Sequence, residues 1–186
     1  MSAYYYFVAS LPGLRWGEPP PLPRTDFLQR AQEWLPPHDA ATLAAAAARD
    51  PAVTAHPAGA RWWQWETAFG NALASARAAR LGRDATPHLR STDVAEAHVR
   101  ATVQEAVKLD DPLKAEQLLD QLRWQFYESL AAAHAFDFET VLSYLLRLGL
   151  LERWAQFDPQ RGHAFFSHQL AALQPADSLS RRSTPV

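Results

Sequence analysis

Three carboxylates lie beside aromatic or apolar stretches of this sequence, at Glu66, Glu128 and Glu152. Burial disfavours the charged form of a carboxylate and raises its pKa, so Glu66 or Glu128 could act as the acid of a small enzyme. The ordinary alternative is an ion pair between helices, and the arginines available as partners are Arg77, Arg123, Arg147 and Arg153. We favour the ion pairs and predict no catalytic residue.

Residue types that hold metals and cofactors are scattered. The sequence has seven histidines, but no HExxH motif and no Glu-x-x-His pair. The absence of cysteine excludes a disulfide framework and thiolate zinc sites. Glycine-rich phosphate loops of the GxGxxG or GxxxxGK[ST] type are also missing. We therefore predict no metal site and no cofactor.

The charge balance argues against a general nucleic-acid binder. Lys and Arg number 18 against 20 Asp and Glu, which gives a formal net charge of −2 and no strongly basic footprint. Seven tryptophans suit protein interfaces, where this residue is a preferred anchor. No apolar run reaches the roughly 18 residues that span a bilayer, and the N-terminus lacks the basic region of a signal peptide. We expect a soluble, cytoplasmic interaction protein.

The pattern of residues 136–157 predicts a long helix around which the fold is organised. Asp137 is a suitable N-cap, and leucines follow at helical spacing on more than one face. A helix that is apolar on several faces is usually buried on several sides. Residues 112–135 predict another long helix directly before it, so the two should form an antiparallel hairpin.

The remaining patterns predict an all-α fold. Residues 3–11 suit a strand by propensity but also allow a short helix, and the prolines of 16–24 indicate an extended connector. Further helices are predicted over residues 26–34, 37–49, 60–81, 93–107 and 159–173. Thr25 is the expected N-cap of the helix 26–34, and Gly82 follows the C-terminus of the helix 60–81. In the helix 93–107, Ala97 and Ala101 are expected on the buried face. We expect one helical domain over residues 1–174 and a flexible tail over 175–186.

Two segments of the chain echo each other. Residues 61–66, RWWQWE, are similar to 122–128, LRWQFYE, since each places an arginine, aromatic residues and a glutamate within a long helix. The echo indicates either a duplicated helical unit or a coincidence in a tryptophan-rich chain.

Four stretches carry a family resemblance: the N-terminal YYYFVASLP, residues 65–82, residues 115–128 and residues 138–154. Together they resemble an uncharacterised bacterial family, a domain of unknown function whose genes tend to lie in V-type ATPase operons. That family is similar to a shortened form of the C subunit of A/V-type ATPases, whose eukaryotic counterpart is the d subunit. The Tyr-rich start and the segment from Glu139 to Arg147, with the later Glu152-Arg153, carry this second likeness.

The resemblance implies an irregular bundle of long helical hairpins related to the helical fold of those C and d subunits. It also implies a non-catalytic subunit that couples the central stalk to the proteolipid ring, on the cytoplasmic face of the inner membrane and held there through protein partners only. The residues we expect at the partner contacts are Trp62, Trp63, Trp65, Arg147, Arg153 and Trp154. The chain is little more than half as long as a full-length C subunit, so a soluble adaptor or assembly factor for the same complex is the alternative.

Overall fold

The computed structural model describes residues 3–92 and 97–157 of the chain. These residues form seven α-helices and no strand, which confirms the all-α prediction. The helices are α1 (Ala3–Ala9), α2 (Arg24–Trp34), α3 (Pro37–Ala48), α4 (Pro57–Arg80), α5 (Ala97–Lys108), α6 (Pro112–Leu130) and α7 (Phe138–Ala155). Within the described ranges no helix is both long and apolar enough to cross a membrane. The predicted helix 159–173 and the tail 175–186 lie outside the described residues.

The N-terminal segment, for which sequence left strand and helix open, is the helix α1. A strand would need a neighbour to satisfy its backbone groups, and the described part of the chain offers none, whereas a helix satisfies its own. Phe7 anchors α1 by packing on Phe27 of α2, with ring centroids 5.5 Å apart. The Tyr4 hydroxyl donates to the buried carboxylate of Asp39 in α3. Tertiary contacts therefore override the strand propensity of the tyrosines.

Most helix ends follow from local capping. Asp111 and Asp137 cap α6 and α7 by accepting from backbone N–H groups of the first turn. Gly82, at φ 62°, ends α4 with the Arg83 N–H bonded to the Ala78 carbonyl, 2.9 Å away. The prediction for α2 was wrong by two residues: its N-cap is Pro23, and Thr25 lies inside the helix.

Three further predictions were wrong and are corrected by the structure. Helix α4 begins at Pro57 instead of residue 60, because His56 caps it through Nδ1. Helix α6 ends at Leu130 instead of 135, where the alanines that follow are mostly exposed and have no core to join. In α5, Ala97 and Ala101 are exposed instead of buried. That helix turns Val99, Val103 and Ala106 inward, and the valines bury more apolar area than the alanines would.

The helices enclose two apolar clusters. The large core joins α1, α2, α3 and α7 to the first turns of α4 and the last turns of α6. The small core joins the middle of α4 to α5 and the first half of α6, and its buried members are Trp65, Phe69, Val99, Val103, Ala106, Leu119 and Leu122. Helices α4 and α6 run through both cores, and α6 packs against α7 as the predicted hairpin requires.

Candidate partner-binding groove

Helices α4 and α5 leave an open groove of about 970 Å³ between them. Alanines at four positions of α4 line it at near-helical spacing: Ala68, Ala72, Ala76 and Ala79. Val99 and Val107 of α5 contribute to the other wall. The groove exists because the alanine side chains of α4 are too short to fill the space beside α5. We call this feature the α4–α5 groove.

Three basic side chains line the α4–α5 groove. Arg80, Arg100 and Lys108 line it, and its lining contains no Asp or Glu among the described residues. All three are exposed. The chain as a whole carries a net charge of −2, so this local excess of positive charge contrasts with the overall balance. A ligand with negative side chains is therefore favoured at this surface.

Two polar contacts hold the frame of the groove. Asn71 on α4 forms a pair of hydrogen bonds with the backbone of Arg90, donating to its carbonyl at 2.7 Å and accepting from its N–H at 2.9 Å. These bonds fix the loop that follows α4. Arg80 donates to the Val107 carbonyl at 2.7 Å and thereby ties the C-terminal turns of α4 and α5 together. The two contacts therefore fix the loop after α4 and the C-terminal end of α5, and the rest of α5 is held by its apolar packing.

Beneath the groove, α4 and α6 meet through the two echoing segments. Trp65 stacks on Phe126 with centroids 4.2 Å apart and planes 5° from parallel. One residue further along each helix, the Tyr127 hydroxyl donates to Glu66 at 2.6 Å. The similar segments 61–66 and 122–128 therefore pack against each other where the two cores join. This contact gives the echo a structural role but does not decide whether it arose by duplication.

Asp120, at 0% exposure, is the centre of an ionic cluster between α6 and α7. Arg153 donates to both of its carboxylate oxygens, at 3.0 and 2.8 Å, and Arg123 donates to Oδ1 at 2.7 Å. The indole Nε1 of Trp154 donates to Oδ2 at 3.0 Å. Every oxygen of this buried carboxylate is thus satisfied by charged or polar donors, as a buried charge requires.

Arg123 extends the cluster to α4. Its Nε lies 3.5 Å from Glu66 Oε1, close enough for an ion pair but without a hydrogen bond. Burial alone would lower the pKa of Arg123, but Glu66, Tyr127 and Asp120 outweigh it and the pKa rises. Burial, with Glu66 next to the hydroxyl, raises the pKa of Tyr127 well above its ordinary value. At neutral pH the arginine is charged and the tyrosine is neutral, so the cluster is a fixed structural element.

The three carboxylates singled out from the sequence are all paired with arginines. Glu66 contacts Arg123 and, at 3.6 Å, Arg49. Glu128 lies 3.5 Å from Arg147, and Glu152 lies 3.5 Å from Arg24 and accepts from its backbone N–H. The ion-pair interpretation is confirmed for these carboxylates, but only two of the four arginines named from the sequence are their partners, Arg123 and Arg147. Arg24 and Arg49 were not predicted as partners. Arg77 and Arg153 pair with Glu116 instead, and Arg153 also pairs with Asp120.

The predicted partner contacts are divided between core and surface. Trp62 and Trp65 are 2% and 1% exposed, so the chain itself covers them and a partner cannot reach them on this fold. Trp63, Arg147, Arg153 and Trp154 keep part of their surface. Binding by these four residues stays a prediction.

Trp154 also lines a second cavity, of about 540 Å³, together with Trp16 from the proline-rich connector. The two rings meet edge to face, with centroids 6.2 Å apart. The connector therefore packs across the middle of α6 and the C-terminal end of α7, and Trp16 also contacts Trp124 of α6. This second surface, which we call the Trp16–Trp154 cavity, is distinct from the α4–α5 groove.

The turn between α6 and α7 brings together the side chains of His134, Asp137 and Glu139, whose ligand atoms all lie within 4.8 Å of one another. Their types could hold a divalent cation, which sequence spacing did not indicate. His134 Nδ1 and Asp137 Oδ2 are already paired, 2.5 Å apart, and Asp137 also caps α7. The arrangement is explained by its structural role at this turn.

The groove was not predicted from sequence. Helix α5 packs against α4 but leaves this strip of alanines uncovered. The only sequence signal was the recurrence of alanine at Ala68, Ala72 and Ala76, which marks a helix face without bulk. Arg100 and Lys108 belong to another helix and could not be assigned to that face without the fold.

Comparison with known proteins gives one similarity. Residues 98–175, less than half of the chain, match the family described as "Protein of unknown function (DUF2764)". The match covers α5, α6 and α7 and extends past the described residues, which supports the expected likeness to an uncharacterised domain. Neither the curated proteins nor the solved structures gave a match.

Proposed function

We propose that this chain is a non-catalytic interaction subunit of a bacterial V-type ATPase, where it couples the central stalk to the membrane rotor ring. The observation that carries the interaction role is the α4–α5 groove, an open surface with alanine side chains and no carboxylate in its described lining. An open groove along a helix favours a protein partner over a small substrate, because sites for small substrates are usually clefts that enclose most of the ligand. The choice of complex rests on the sequence resemblance.

The enzyme alternative has less support. Glu66 and Glu128 do not line the groove, and each is paired with arginine. An adaptor or assembly factor for the same complex would use the same groove. Only the identity and the stoichiometry of the bound partners distinguish this hypothesis from that of a rotor subunit.

The test is an affinity purification of the tagged chain from the native membrane fraction, with the bound proteins identified and quantified by mass spectrometry. Stoichiometric recovery of ATPase stalk and ring subunits is the expected result. Substoichiometric recovery of the same subunits would favour the assembly factor. Recovery of the chain alone, from the soluble fraction, would overturn the ATPase assignment.

Two variants assign the binding surface in the same experiment. Ser75→Trp places a bulky ring at an exposed position of the α4–α5 groove and should abolish recovery of the partners. Gln117→Trp places the same ring in the Trp16–Trp154 cavity and should leave recovery unchanged unless Trp154 also contacts the partner. The reverse result would transfer the interaction role to the second cavity. Gln64→Trp adds the same ring to an exposed position of α4 that does not line the groove, and it serves as the control.

A further inference from the structure

The length of the alanine strip sets the size of what can lie in the α4–α5 groove. Ala68 and Ala79 are eleven residues apart on one helix, which corresponds to roughly 16 Å at about 1.5 Å per residue. That distance equals about three turns of a helix lying alongside α4. A partner segment of three turns would therefore match the groove from end to end.

The shape of the groove favours a helix as the occupant. Side chains at the contact determine how closely two helix axes approach, and alanines allow the shortest separations. A helix laid in such a groove supplies the bulk itself, through apolar residues at positions i, i+4 and i+7 that fill the space beside the valines of α5. On α4 the alanines are flanked by Asn71, Ser75 and Arg80, so the matching apolar face of the partner must be narrow.

The charge around the groove determines what must flank that face. Arg100 and Lys108 form no ion pair with any residue in the described ranges, and Arg80 is held at the C-terminal turn of α5 through the Val107 carbonyl. Elsewhere the buried and half-buried arginines of this chain are paired with carboxylates, as Arg123, Arg147 and Arg153 are. The positive charge at the groove is available for an external carboxylate.

We infer that the α4–α5 groove binds an amphipathic helix of a partner protein, about three turns long, with a narrow apolar face flanked by Asp or Glu side chains. This inference rests on the proposed interaction role and names the partner chemistry of that same groove. It does not depend on the partner belonging to an ATPase.

The test uses the full chain and two designed peptides that differ only in charge. Each peptide is a fluorescein-labelled helix of about 14 residues with leucines at i, i+4, i+7 and i+11, which covers about three turns. One carries Glu and the other Lys at the flanking positions, with Ala elsewhere. Fluorescence anisotropy should show saturable binding of the Glu peptide, at least about tenfold tighter than that of the Lys peptide at low salt, and weaker binding at high salt.

Charge reversal in the groove provides the decisive variant. Arg100→Glu combined with Lys108→Glu should lower the affinity for the Glu peptide about tenfold and raise that for the Lys peptide, because two attractive charges become repulsive. Arg30→Glu combined with Arg61→Glu makes the same change in net charge at exposed positions outside the groove and should change neither affinity. Circular dichroism verifies that each variant keeps its helical content.

Three outcomes would overturn the inference. They are equal binding of both peptides, no saturable binding of the Glu peptide, or the same loss of affinity in the control pair as in the groove pair. Ser75→Trp must also block the Glu peptide, since binding that survives it occurs elsewhere. If the peptides bind charge-selectively but the purification from membranes recovers no ATPase subunits, the groove assignment is retained and only the ATPase assignment is rejected. The two proposals therefore fail separately.

Discussion

The two cores of this fold differ in how the chain builds them. The large core collects segments from both ends of the described chain, since α1 and α2 pack on α7. The small core is made from one continuous region, the middle of α4 through the first half of α6. A core closed by distant segments opens only when much of the molecule unfolds, whereas a local unit can open alone. The α4–α5 groove lies on the local unit.

The difference indicates how stability and binding are divided in this chain. Surfaces that accept partners are generally drawn from the less stable parts of a structure, because they must adjust. Here the wall formed by α5 is held by three inward residues, whereas α7 has apolar residues buried along most of its length. We expect α5 to be the helix that adapts to a partner and the large core to remain unchanged.

The largest expected effect comes from shortening one fully buried side chain in each core. Leu148→Ala in the large core should lower the free energy of unfolding by about 4 kcal/mol, and Val103→Ala in the small core by about 2 kcal/mol. Native-state hydrogen exchange should show faster exchange in all helices for the first variant and mainly in α5 for the second.

Urea denaturation followed by circular dichroism gives the two free energies. Leu113→Ala, at an exposed position of α6, is the control and should change stability by less than about 0.5 kcal/mol. If Val103→Ala accelerated exchange in every helix as strongly as Leu148→Ala, the two cores would be one cooperative unit and the comparison would fail.

A second, smaller effect is expected at the ionic cluster that connects the two cores. Asp120→Asn should destabilise the protein by about 3 kcal/mol, because Arg153 and Arg123 lose the buried carboxylate that they share. The amide can accept hydrogen bonds but cannot neutralise two guanidinium groups. Thermal unfolding measures the loss, and Glu33→Gln, an exposed carboxylate on α2, is the matched control.

Because Asp120 connects α6 to α7, replacing it should change hydrogen exchange in both helices. The Asn variant should exchange faster in both α6 and α7, since Asp120 belongs to the first and Arg153 to the second. Faster exchange confined to α6, or a loss below about 1 kcal/mol, would show that the cluster does not couple the cores.

Much of the fold could be predicted from local signals. Asp137 and Gly82 were assigned to helix ends from sequence, and the structure places them there, because capping depends on a few neighbouring residues. That Glu66 pairs with an arginine also followed from residue type, but which arginine it pairs with did not. The groove did not, since it depends on how α5 lies against α4, and that is decided by contacts among residues distant in sequence.

Gly59 is a single residue whose place in the fold also depends on contacts that local sequence does not reveal. Its sequence, between Pro57 and a run of tryptophans, indicates a loop, yet Pro57 is at the start of α4 and Gly59 lies within its first turn. The glycine is needed here for close packing, since a Cβ would clash with the backbone of Val53. That need becomes visible only when the neighbouring turn, Pro51–Ala55, is in place.

The smallest predicted effect compares two glycines of α4, one against the large core and one on the open surface beyond it. A Cβ at Gly59 would lie 2.1 Å from the Val53 carbonyl oxygen, so Gly59→Ala must displace the backbone and should cost about 2 kcal/mol. A Cβ at Gly70 would meet nothing within 4 Å, and Gly70→Ala should stabilise the helix by up to about 1 kcal/mol. Thermal unfolding of both variants must therefore give shifts of opposite sign. A neutral Gly59→Ala would mean that Val53 and its turn can move away at little cost, and the large core would then be less tightly constrained than its burial indicates.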